Sequence, residues 1–168
     1  MNDSAIYNEQ VTSRRTEILF VALTIVFLSL FFWRITVGSF DFLAAVFLFF
    51  LALFLFYAVN YRTLSIRLTA DVFKLSFGIF RWVIPLNNIS DCQLDDNLPG
   101  LMKYGGAGIH FMFIDKRYRV SFNFLEYPRV VIGLKKKVGW VRDVSFSTCQ
   151  PDELMRLIQG AVPTDGTA

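Results

Sequence analysis

Histidine is almost missing from this chain: His110 stands alone, and Cys92 and Cys149 are the only cysteines. One histidine cannot build a zinc triad or a histidine-based dyad. The two cysteines have no C-x-x-C spacing, so neither a zinc knuckle nor a redox pair is signalled, and both are expected to be buried, reduced thiols. Charge is missing where a transporter would need it. Between Phe42 and Val59 there is none, and between Ile18 and Val37 only Arg34 near the end. An ion path or proton relay therefore has no candidate group. The glycine-rich stretch Tyr104-Gly105-Gly106-Ala107-Gly108 lacks the Lys-Ser/Thr of a phosphate-binding loop and runs into a strand pattern, so it reads as a flexible loop. Asp91, Asp95 and Asp96 are too loosely spaced for a Mg²⁺ or Ca²⁺ site. No catalytic constellation emerges: no enzyme, metal or cofactor is expected, and no nucleic-acid partner.

What the chain has is grease, unevenly spread. It is 54% hydrophobic with mean hydropathy +0.45, and the excess lies between Ile18 and Val59. About 20 apolar residues cross ~30 Å of hydrocarbon as one helix. Two runs, about 18–37 and 42–59, are parted by a short break around Arg34 to Asp41 and predict a two-span hairpin. Arg14 and Arg15 precede it, Arg62, Arg67 and Lys74 follow it, and its turn offers only Arg34, so both termini are expected in the cytoplasm. Trp33, Tyr57 and Tyr61 suit the interfacial belts. Ser13-Arg14-Arg15 has a twin-arginine flavour. A cleaved leader is disfavoured, since the apolar region is too long and no small-x-small cleavage site follows. Ala22, Ser29 and Thr36, with Ala45 and Ala52, recur at seven-residue spacing and suggest a close helix seam. The parse is a polar cytoplasmic tail over 1–17, disordered over its first ten residues, a hairpin over 18–59, a folded domain over 60–162 and a tail over 163–168.

From Tyr61 to Thr148 the period changes to two. Leu64, Ile66, Leu68; Phe73, Leu75, Phe77; Phe80, Trp82, Ile84; a shorter run over Ile89 to Leu94; Ile109, Phe111, Phe113; Tyr118, Val120, Phe122, Phe124; Val130, Ile132, Leu134; and Trp140 to Phe146 alternate with polar residues or fall between turn signals. That pattern predicts an antiparallel barrel or sandwich of seven to eight strands, with the apolar face of each strand turned to a single core. His110 falls on the opposite side from Phe111. Pro151-Asp152-Glu153-Leu154 then opens a short helix whose Leu154, Leu157 and Ile158 form an apolar stripe, ended by Gly160 and Pro163. A helix this short must dock on the strands.

Leu64–Leu75, the Phe77-Gly78 turn, Arg81-Trp82-Val83-Ile84-Pro85 with Ile89, and the last strand leading into Pro151-Asp152-Glu153-Leu154 carry a resemblance. Over roughly Tyr61 to Gly160 the chain resembles the prokaryotic pleckstrin-homology-like (PH-like) proteins in which a two-span hairpin precedes one such domain. The resemblance implies a barrel capped by a C-terminal helix and, by analogy with eukaryotic PH domains, headgroup binding through basic turns.

Beyond Tyr61 fourteen Lys and Arg face ten acids, a small excess, so placement matters more than number. Lys116, Arg117 and Arg119 lie at one turn and Lys135, Lys136 and Lys137 at another. They are the candidates for an anionic lipid headgroup, since a basic residue near an anionic surface contributes ~1 kcal/mol. Leu98, Leu101, Met102 and Tyr104, in a long loop that retains apolar groups, are the candidates for a protein or membrane contact. The expected function is a non-catalytic interaction or scaffold module on the cytoplasmic membrane face. An anionic-lipid sensor, or an accessory subunit of a membrane enzyme or transporter, is the alternative.

Overall fold

The structure is a computed structural model and describes residues 5–38, 40–95, 108–114, 116–124 and 126–162. Its helical pair is α1 (Arg14–Val37) and α2 (Phe42–Asn60), both long and apolar enough to cross a membrane. Each starts on a side-chain cap. Ser13 Oγ accepts from the Thr16 amide at 3.1 Å, and Asp41 Oδ1 accepts from the Ala44 amide at 3.0 Å, satisfying donors a helix leaves open. Arg34 closes the turn on Asp41 as an ion pair. The seam is aromatic. Phe27 meets Phe50 at 5.2 Å and Phe54 at 5.3 Å between ring centroids. Ala22, Ser29, Thr36, Ala45 and Ala52 are all exposed, which corrects the small-residue seam. Ser29 is two positions from Phe27, a rotation of about 200° on a 3.6-residue helix, so the two cannot share a face.

The N-terminal segment is a second correction. Tyr7–Thr12 forms strand β1, and it pairs antiparallel with β2 (Thr63–Leu68) from Tyr7↔Leu68 to Thr12↔Thr63. Its residues look polar because only Val11 is fully buried on the face it shares with Tyr7 and Glu9; Tyr7 packs at the core's margin, and Glu9 accepts bonds from the Thr148 hydroxyl (2.6 Å) and the Cys149 amide (2.7 Å). The helical pair is thus inserted between two adjacent strands of one sheet.

β3 (Val72–Phe77) and β4 (Phe80–Pro85) extend that sheet to the order β1-β2-β3-β4, all antiparallel. Leu64, Ile66, Leu68, Phe73, Leu75 and Phe77 are buried, as period-2 alternation predicts. Five further strands, β5 (Ile89–Leu94), β6 (Gly108–Ile114), β7 (Arg117–Asn123), β8 (Arg129–Val138) and β9 (Val141–Ser147), form a second sheet in the order β5-β8-β9-β7-β6. Eight strands therefore follow the helices among the described residues, with a ninth before them. The second sheet is mixed: β9 slots between β7 and β8 and runs parallel to β7. Alternation specifies which face a residue takes but not which strand it pairs with, so this departure from an all-antiparallel arrangement is invisible in sequence.

The sheets share one core, with Phe73 against Phe146 (5.1 Å), Phe77 against Phe124 (5.1 Å) and Trp82 against Phe122 (6.4 Å). Helix α3 (Pro151–Ala161) docks beside β5 and β8. It buries Leu154 and Ile158 and holds the Cys92 carbonyl through Gln159 at 3.2 Å. It continues one residue past Gly160, since a solvated glycine only weakens a helix.

Aromatic stacking joins helices to sheets. Tyr61 lies 4.9 Å from Tyr57 and 4.8 Å from Phe77, and Phe20 of α1 reaches Tyr57 at 5.3 Å. Glu126 binds Ser13 Oγ and the Arg15 amide, both at 3.0 Å, and the Tyr127 hydroxyl donates to the Thr12 carbonyl at 2.9 Å.

Candidate functional site

β6 and β7 begin and end at opposite poles of the second sheet. Gly108 pairs with Asn123, and a Cβ on Gly108 would lie 3.0 Å from the Tyr61 ring, beside the end of α2. Six residues later, ~20 Å along an extended strand, Ile114 pairs with Arg117. Lys116, with φ 63, makes the reversal between them. The far pole also carries the β8–β9 turn, where Gly139 takes φ 62 and leaves Trp140 82% exposed.

This pole is aromatic as well as basic. Phe111 and Phe113 pair with Val120 and Tyr118, so they stand on the side of the sheet that forms the core. The first sheet packs on that side against Phe122, Phe124 and Phe146. Beyond it Phe111, Phe113 and Tyr118 are 71%, 59% and 49% exposed. This corrects the expectation that Phe111, Phe113 and Tyr118 point into a closed core. Phe113 and Tyr118 lie 5.0 Å apart, and Tyr118 reaches Trp140 at 6.4 Å. With Lys116, Arg117, Lys137 and Arg142 they line a cleft of about 410 Å³. Arg117 is shared with Asp143, 3.8 Å away, a weak pair because the guanidinium is half-exposed.

Of the six predicted headgroup residues, Lys116, Arg117 and Lys137 converge on this cleft. Lys135 and Lys136 are exposed on the same strand but outside the lining, and the Lys136 backbone is clamped by Asn88 at 2.7 and 3.0 Å. Arg119 is a correction. It is buried, donates to Asp95 at 2.7 Å, and Asp95 also accepts from Ser145 at 3.1 Å. Parallel pairing with β9 turns Arg119 toward Asp143 rather than solvent. Arg142, Tyr118 and Trp140 join the cleft although basic-residue spacing did not single them out. The visible clue was a tryptophan directly after a turn glycine.

On the opposite side of Arg117 lies a second cleft of about 410 Å³, lined by Asp91, Gln93, Arg117, Arg119, Val131 and Asp143. Burial raises the Asp143 carboxyl above its ordinary range, and the neighbouring Arg119 and Arg117 offset part of that. Ser121 Oγ and both polar atoms of the Asn123 side chain are buried with no hydrogen-bond partner among the described residues. Among the described residues no three of His, Cys, Asp and Glu group to hold a metal ion. Leu98, Leu101, Met102 and Tyr104, the predicted partner-contact residues, and most of the glycine-rich stretch lie outside the described residues.

The cysteines divide. Cys92 is buried, and desolvation pushes its thiol up to about 12. Cys149 is exposed, which corrects the expectation of two buried thiols; it follows the last buried residue of β9's extension and precedes α3. Partial burial and then the Glu9 carboxylate raise its thiol as well.

Comparison with protein-family models, characterised proteins and solved structures finds no match to this chain.

Proposed function

We propose that this chain is a non-catalytic interaction module with a PH-like core, anchored by α1 and α2 in a membrane and held at its cytoplasmic face. The observation that carries the proposal is the pairing of β1 with β2 around the helical pair. Two strands of one sheet cannot lie on opposite sides of a bilayer, so helices inserted between them cross an even number of times. Basic flanks favour the cytoplasm. The turn carries one cation, Arg34, while Arg14, Arg15, Arg62, Arg67 and Lys74 flank the other end. A four-stranded antiparallel meander, a second sheet sharing its core and a docked C-terminal helix support the PH-like assignment. The insertion of β9 between β7 and β8 is its main departure. A second reading, recognition of anionic lipid, is favoured by the convergence of Lys116, Arg117, Lys137 and Arg142 on one cleft.

Cys149 is a built-in reporter of sidedness. In cells making the protein, a membrane-impermeant maleimide is expected to leave Cys149 unmodified until the membrane is opened. Labelling should be slow at neutral pH and faster in alkali, because the thiol is raised, while Cys92 stays protected until the fold is lost. Labelling of Cys149 in intact cells would place the domain outside. Release of the protein by alkaline carbonate would remove the anchor.

A further inference from the structure

Among the described residues the sheets end on β1, β4, β5 and β6, and three of those edges are guarded. β1 is polar and carries Glu9; β4 carries Arg81 and ends on Pro85; β5 carries Asp91 and lies beside α3. β6 has no such device. It reads Gly-Ile-His-Phe-Met-Phe-Ile, without charge or proline, and among the described residues it pairs on one side only, with β7. An apolar strand with a bare edge is a template for another strand, which is why proteins place charge, proline or a helix there. Phe111 and Phe113 stand exposed along this edge, and exposed apolar patches of this kind serve contacts. At its Ile114 end the cleft holds Lys116, Arg117, Lys137 and Arg142, with no acid among its described lining. Lys116, Lys137 and Arg142 have no ion pair among the described residues.

We infer that β6 and its basic end dock an extended acidic segment of a partner protein, added to the second sheet as an antiparallel strand. The inference rests on the proposed role as an interaction module and names the surface that does the work. The β6 backbone supplies the ladder, and Phe111 and Phe113 take alternate apolar side chains of the incoming strand. Antiparallel addition is the more stable pairing. A strand so added starts at the Ile114 end, so its N-terminal residues meet the four cations and should be acidic. Trp140, Tyr118 and Arg117 are of the types that anchor protein interfaces. The site lies ~20 Å of strand beyond the Tyr61 end of β6, away from the helix ends and open to a partner in the aqueous phase. A second copy does not fit. It would set the same cations against each other, and antiparallel β6–β6 pairing would point the two helical pairs in opposite directions, which one bilayer does not allow. Nucleic acid could stack on the rings, but it would leave the β6 backbone groups unpaired.

The test presents the full chain, in nanodiscs of phosphatidylcholine, to a phage-displayed library of random linear peptides. Binders to a variant carrying Phe111→Ser with Phe113→Ser are first subtracted. Both rings are exposed, so that variant should keep its fold, which protection of Cys92 from maleimide checks. Enriched peptides should place acids N-terminal to a run of alternating apolar residues. Made synthetically, they should bind the serine variant, and separately Lys116→Glu with Lys137→Glu, at least about tenfold more weakly. N-methylation of every second peptide amide should abolish binding in one phase and spare it in the other, because a strand bonds to one neighbour through alternate residues. Enrichment of neutral or basic peptides, equal tolerance of both methylation phases, or no enrichment over the variant overturns the proposal. Acids at the C-terminal end overturn the antiparallel direction. Tighter binding of a single-stranded oligonucleotide or an anionic vesicle than of any selected peptide overturns the choice of a protein occupant. Carbonate extraction and Cys149 labelling report anchoring and sidedness separately, so failure of the anchored-module reading is distinguishable from failure of this docking site.

Discussion

Asp143 shows how a single residue's role depends on neighbours far away in sequence. Its backbone pairs with Arg119 on one side and Gly133 on the other, and its carboxyl is buried. Desolvation raises it above the ordinary 3.8, more than Arg119 and Arg117 lower it. An acid raised in the folded state binds its proton more tightly there than in the unfolded chain. Its stabilising contribution is therefore full below 3.8 and is lost as pH climbs through the raised value, beyond which it stays flat. Asp143→Asn is accordingly expected to raise the melting temperature at neutral pH and to leave it unchanged in acid below 3.8. Thermal unfolding in detergent at the two pH values checks this, and a lower neutral-pH melting temperature would contradict it. The sequence marks Asp143 only as one polar position in an alternating strand. Arg119 follows the same logic: a basic residue near a turn looks solvated until its cross-strand partners are known.

At the scale of elements, two glycine turns of similar backbone geometry should behave differently. Gly78 and Gly139 have φ 59 and 62, in the left-handed region that costs other residues about 1–2 kcal/mol. Around Gly139 there is open space, whereas a Cβ on Gly78 would lie 2.4 Å from the Asn60 carbonyl oxygen at the end of α2. Gly139→Ala should therefore carry only the conformational cost. Gly78→Ala should carry in addition the displacement of the β3–β4 turn from the helix end, about 3 kcal/mol or more in total. Chemical unfolding of both variants would separate them, and equal losses would mean that the turn and helix move independently. Both glycines are legible as turn residues from their flanking strands. That one of them is also the joint between helix and sheet is not, because the contact is a backbone approach that leaves no pattern in side chains.

At the scale of the whole molecule, the hairpin is an insertion into a β-sheet. Thr12 and Thr63 face each other in register, so the chain leaves the sheet at one and returns at the other. Replacing residues 14–60 with a short glycine-rich turn should let β1 and β2 close directly. The product is expected to be a water-soluble, strand-rich domain, less stable than the parent because the Phe20 ring leaves the core. Circular dichroism and gel filtration of that protein test this, and persistent aggregation would show that the helices are needed to complete the core. β1 (Tyr7–Thr12) should be indispensable to the same product, since without it the edge of β2 and the side of Leu64 lie open.

Sequence by itself determined the two apolar helices, the break between them, the run of seven to eight strands that follows and the short amphipathic helix at the end. Each of these is written in local periodicity, 3.6 or 2, or in an unbroken run of apolar side chains. Tertiary structure alone decided that polar residues 7–12 are a strand, that β9 runs parallel to β7, that Phe27 rather than Ala22, Ser29, Thr36, Ala45 or Ala52 lies in the helix seam, and that Arg119 is buried. It also decided that Phe111, Phe113 and Trp140 gather with lysines and arginines at one exposed pole. Those outcomes depend on which strand pairs with which, at what register and under what cover, and a periodic pattern records the face of a residue without recording what comes to lie against it.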